Sequence, residues 1–196
     1  HTAAYVIYGI IMAGVFEECG RFIVMKYIMK KNRTRENAVL YGIGHGGIEI
    51  FAVLIPGMIS SLVIAVMLST KDMATALGTL GVTKENAAAV LTSAQAVAAF
   101  DYGMMAAYVI ERILAMLLHI GLTVIVYCGV MNAKKGFLLA AILLHMLMDT
   151  FPALYQRGVV QLWTVEIWAA LWTAIIGLIA VGQYRHTKTP TLPSSV

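Results

Sequence analysis

Four apolar stretches of this chain carry side chains that a bilayer interior excludes. Glu17, Glu18 and Arg21 lie in Val-Phe-Glu-Glu-Cys-Gly-Arg-Phe, and His45 and Glu49 in Tyr-Gly-Ile-Gly-His-Gly-Gly-Ile-Glu. Glu111, Arg112 and His119 share a third stretch; His145 and Asp149 fall in a fourth, Leu-Leu-His-Met-Leu-Met-Asp. An ionisable group at the centre of a transmembrane helix costs about 2.5–3.5 kcal/mol on insertion scales. Residues kept at that cost have work to do. Acids and histidines at membrane depth serve either as a proton relay or as a centre that activates water or holds a metal.

Spacing groups them. His45 and Glu49 are four residues apart, as are His145 and Asp149, and Glu17 and Arg21, so each pair shares a helix face. The Glu17–Arg21 spacing predicts mutual neutralisation within one helix. Depth can be counted from the nearest cluster of Lys and Arg. Glu18 is eight residues from Lys26, His45 ten from Arg35 and His145 ten from Lys135, roughly 12–15 Å along each helix. His119, fifteen residues from Lys134, lies roughly 22 Å away on the same measure. Three groups at one level, and a fourth within reach of it, predict one composite site. Glycines at 42, 44, 46 and 47 strip bulk from around His45 and allow close helix approach.

The elements that must position these residues are membrane helices. Sixty per cent of the residues are hydrophobic and 12% charged, with a mean hydropathy of +0.82, whereas soluble domains carry about 25% charged residues. The fold class expected is an all-α polytopic transmembrane helical bundle of about five to six spans. Five spans can be read, over about 3–28, 37–68, 103–131, 136–154 and 162–184. The second is too long for one crossing. It is either a span kinked at Pro56 or a span followed by an interfacial piece. Residues 1–184 form a single transmembrane domain in this reading, with 70–102 an extramembrane or interfacial segment in which Thr83-Lys84-Glu85 opens a short helix. Residues 185–196 form a disordered cytoplasmic tail.

The net charge of +4 is small and clustered between apolar runs, which marks cytoplasmic loops and not a nucleic-acid surface. The positive-inside rule places the 29–36 and 132–135 loops and the C-terminus in the cytoplasm, with the chain a multi-pass protein of the plasma membrane. Cys19 and Cys128 show no metal or redox spacing and read as packing residues. Glu111-Arg112 reads as an interfacial ion pair, and Glu166 with Trp163, Trp168 and Trp172 as an interfacial aromatic anchor. The chain begins at His1, as a fragment or processed product would.

Taken in order, Glu17-Glu18-x-x-Arg21, Gly44-His45-Gly46-Gly47-x-Glu49, Glu111-Arg112 with His119, and His145-x-x-x-Asp149 resemble the YhfC family of intramembrane metalloproteases. That family is grouped with the CAAX-processing type II proteases and bacteriocin-immunity proteins, and the resemblance runs from about Phe16 to Asp149. It implies that Glu17 or Glu18 activates a water; the residue chemistry lets Arg21 pair with one of those two carboxylates and Asp149 or Glu49 orient a ligand histidine. It also implies that His45, His119 and His145 belong to the metal or catalytic centre, with Tyr41-x-x-x-His45 matching an aromatic-x-x-x-His motif of the wider group; the chemistry of the donors makes Zn2+ the metal expected, with Glu49 an alternative ligand. Three imidazoles and an open position would acidify a zinc-held water. The CAAX enzymes place three residues between the glutamate pair and the arginine where this chain has two, so the resemblance leaves open which glutamate is the base. The partners expected are the membrane and a peptide or membrane-protein substrate. A proton- or ion-coupled transporter and a non-catalytic scaffold of the same fold are the rival readings, the former opposed by the lack of an internal repeat.

Overall fold

The computed structural model describes residues 1–70, 75, 78, 79, 83 and 87–187. Among the described residues every regular element is helical. Helix α1 runs Thr2–Ile23 and continues as a π-helical turn, Val24–Ile28; α2 runs Arg35–Thr70 and α3 Ala87–Ala98. Helix α4 spans Tyr102–Met131, α5 Gly136–Gln156 and α6 Leu162–His186. Among the described residues four helices are long and apolar enough to cross a membrane, namely those over Arg35–Met67, Tyr102–Met131, Gly136–Gln156 and Leu162–His186. The fifth expected crossing corresponds to α1, which carries Glu17, Glu18 and Arg21 in its second half.

Local chemistry explains the boundaries. The Thr34 hydroxyl accepts the Asn37 amide at 3.2 Å, and the Asp101 carboxylate accepts the Met104 amide at 2.8 Å, so each helix start satisfies an amide that has no intrahelical partner. Between α4 and α5 the chain turns tightly through Ala133 at φ 55°. Pro56 is accommodated inside α2, which runs on without a break to Thr70. Helix α6 continues two residues past its expected end. Thr187 just beyond it is 2% exposed, and its carbonyl accepts a hydrogen bond from the Arg35 guanidinium, which also lies over the Tyr184 ring. Asn132 Nδ2 donates to Thr187 Oγ1 at 3.1 Å. Lys71, Asp72, Lys84, Glu85 and residues 188–196 of the expected tail lie outside the described residues.

The chain divides into two compact units. Unit one comprises residues 1–47 and 109–196, and unit two residues 48–108. Unit two holds the later part of α2, α3 and the start of α4, with Ala94 buried and Phe100 stacked on Tyr108. In unit one α4 is the central helix, and every residue from Gly121 to Gly129 is buried. A helix hydrophobic on all sides needs neighbours on all sides. Met25, Ala38, Ala141, Met148, Ala169, Ile176 and Ala180 pack with Leu122, Ile125 and Val126 in one core. Helix α1 packs along α5, and α5 against α6. Outward-facing Ile, Leu, Val and Phe side chains cover the same helices, among them Ile7, Phe16, Leu139, Leu143, Ile167 and Leu178, the surface a lipid solvent selects.

Two glycines seat α2 on α4. A Cβ on Gly42 would lie 2.7 Å from Ile120 Cα and 3.2 Å from the His119 carbonyl oxygen. One on Gly46 would lie 3.3 Å from Met116 Cα. This small-xxx-small arrangement lets the backbones approach where His45 and His119 must meet. Gly44 meets nothing within 4 Å, and Gly47 only the Met116 methyl at 3.9 Å, so of the four glycines only 42 and 46 set the approach.

Candidate metal and catalytic centre

Unit one brings residues of α1, α2, α4 and α5 to one place. Glu18 and Arg21, on α1, are 0% exposed and form an ion pair at 2.5 Å. The partner of Arg21 is therefore Glu18, three residues back, and not Glu17 as the four-residue spacing suggested. Both spacings lie on one helix face, and burial decides between them. Glu18 Oε1 also accepts from His145 Nδ1 on α5 at 2.7 Å. The second guanidinium nitrogen, Arg21 Nη2, contacts His119 Nδ1 on α4 at 2.9 Å. One buried pair thus touches two of the histidines.

Glu17 faces elsewhere. Its Oε2 lies 3.0 Å from His45 Nε2 and 3.9 Å from His145 Nε2. The Glu17 and His45 side chains keep 32% and 21% of their exposure. The imidazole rings follow in sequence across the site, with centroids of His45 and His119 5.0 Å apart and those of His119 and His145 5.7 Å apart. Tyr41 stands one turn before His45, its ring 6.0 Å away. Asp149 Oδ2 is 3.5 Å from His145 Nε2, so the four-residue spacing on α5 does bring this pair together. Glu49 falls in unit two, outside the unit that carries this cluster.

The donors suit a divalent cation. Glu17, His45 and His119 each offer one ligand atom, and the three lie within 4.8 Å of one another. Tetrahedral zinc with bonds of about 2.0–2.2 Å holds its ligand atoms about 3.4 Å apart, so modest movement closes the set. His145 has a second qualification. A ligating histidine gives its other ring N–H to a carboxylate, as His145 Nδ1 does to Glu18.

Arg112 and Glu111 pair with each other. Glu166 is 5% exposed, and neither carboxylate oxygen has a hydrogen-bond partner. Of the aromatic residues expected as an interfacial anchor, Trp163 is exposed, whereas Trp168 stacks on Phe151 with centroids 4.2 Å apart. Its Nε1 donates to the Leu147 carbonyl at 3.1 Å. Trp168 is therefore a packing residue between α6 and α5. The Arg21–His119 contact, across 98 positions of sequence, was not foreseen, and no spacing rule could reveal it.

A family model described as YhfC intramembrane metalloprotease matches residues 1–169 of the chain. A curated relative, the uncharacterized membrane protein YhfC of Bacillus subtilis (strain 168), is 37% identical over 177 residues, which cover 89% of this chain and 67% of the relative. No solved structure matches.

Proposed function

The chain belongs to the YhfC family of membrane proteins, and from that premise we propose that it is an intramembrane metallopeptidase. It hydrolyses a peptide bond of a peptide or membrane-protein substrate with a water activated beside Glu17 and His45. The observation that carries this reading is the 3.0 Å contact of Glu17 Oε2 with His45 Nε2, made by two side chains that retain exposure next to a fully buried ion pair. A general base must reach the proton it takes. Glu17 is placed for that, while Glu18 is closed off between Arg21 and His145. Glu17 is accordingly the base, and Glu18 holds the imidazole behind it.

A zinc ion would be held by one carboxylate oxygen of Glu17, by His45 and by a second imidazole, from His119 or His145, and when bound would lower the pKa of its water to about 7, the other Glu17 oxygen remaining as the base. The chain's own residues do the rest. Glu17 accepts the proton of the attacking water and returns it to the leaving amine. Asp149, 3.5 Å from His145 Nε2, steadies that ring.

The test compares new protein N-termini, by mass spectrometry, in membranes of cells producing the wild type or Glu17→Gln. Cleavage products present with the wild type and missing with the variant support the proposal. Identical sets from both, with both proteins produced at equal levels, would refute it.

A further inference from the structure

One buried ion pair faces two imidazoles with opposite chemistry. The Glu18 carboxylate offers lone pairs, and the Arg21 guanidinium offers only N–H groups. Glu18 Oε1 receives His145 Nδ1 at 2.7 Å, so His145 Nδ1 carries a proton. Arg21 Nη2 approaches His119 Nδ1 at 2.9 Å, so that nitrogen must present a lone pair. A neutral imidazole has one N–H and one lone pair, and a doubly protonated His119 could not accept from Arg21. The guanidinium contact therefore puts the His119 proton on Nε2, and the carboxylate contact leaves Nε2 as the one nitrogen of His145 that can present a lone pair.

We infer that the Glu18–Arg21 pair sorts the histidines: His145 is held with a proton on Nδ1, which leaves Nε2 to face an ion, and His119 with its proton on Nε2. His145 can then bind an ion or accept a proton, whereas His119 enters the site as a hydrogen-bond donor and leaves the ligand set. Proximity alone favours His119 as the third ligand beside Glu17 and His45. Two considerations outweigh it. Ligand histidines have acceptors behind them, and His119 has a guanidinium. A fixed positive charge at 2.9 Å from the ring also opposes a dication on its other side.

The geometry that enforces the sorting is rigid. Arg21 cannot turn away without abandoning Glu18, at 2.5 Å, and both side chains are fully buried. His119 is pinned from the other direction, because α4 is seated against Gly42 and Gly46 at this turn. Glu18 and Arg21 thus act as positioning residues, assigning complementary faces to two rings of the same chemical type. The part each ring plays in hydrolysis rests on the proposed function; the tautomers do not.

The test is 15N NMR of the histidine-labelled full chain in detergent, with His119 and His145 assigned from His119→Gln and His145→Gln. Two-bond and one-bond N–H correlations should place the His119 proton on Nε2 and the His145 proton on Nδ1. Arg21→Lys, which retains a donor, should leave the His119 pattern unchanged. A proton on His119 Nδ1, or none on His145 Nδ1, overturns the inference. Zinc chloride is then titrated in. Perturbation at His145 Nε2 with the His119 Nε2–H retained supports the inference, and loss of that His119 proton overturns it. If zinc changes neither ring, the metal in the proposed function fails while the sorting of the tautomers stands.

Discussion

Glu17 and Glu18 are adjacent in sequence and opposite in circumstance. Glu18 is enclosed with Arg21 and His145, while Glu17 points to the open edge beside His45. Substitutions should separate the two roles. On the proposed mechanism Glu17→Gln removes the general base, a role that contributes about 10²–10⁴-fold, so cleavage should fall by that factor with the melting temperature unchanged. Glu18→Ala strands a buried guanidinium, and breaking a buried pair costs about 3–5 kcal/mol; its melting temperature in detergent should drop sharply. Equal stability of the two variants would contradict this division. The candidate residues were legible in the sequence because charge at membrane depth is costly. Which glutamate does what was not, since helical spacing admits Arg21 as partner of either and the deciding contact comes from His145, 127 residues away.

Among the helices, the approach of α2 to α4 brings His45 and His119 into one site. Gly42→Val should displace α4, because even its Cβ would lie 2.7 Å from Ile120 Cα, and overpacking costs about 1–3 kcal/mol. Gly44→Ala, with nothing within 4 Å, should be silent in both melting temperature and zinc affinity. Equal effects of the two would show that the close approach is not what assembles the site. The helices themselves were readable from hydropathy, with α4 and α5 starting within one residue of their expected positions. The limits of α2 were less so, because a continuous apolar run does not say whether Pro56 interrupts it. Trp168 was misread for a related reason: an aromatic residue near the end of a span looks like an interfacial anchor until its packing partner, Phe151, is seen.

At the scale of the whole molecule, the alternation of basic and neutral loops predicts how the chain threads the membrane. In a variant lacking Cys19 and Cys128, a cysteine at Lys134 should be protected from a membrane-impermeant thiol reagent in intact cells. One at Val159, which is 57% exposed, should be labelled. The reverse pattern would invert the proposed orientation. The tie between Arg35 and Thr187 adds a matter of timing. The two residues are 152 positions apart, and ribosomes add about 5–20 residues per second, so roughly 8–30 s pass between the synthesis of one and of the other. Through that interval the helix that carries His45 has been made but lacks its last fastening. The frame around the cluster is therefore fastened only once residue 187 has been made.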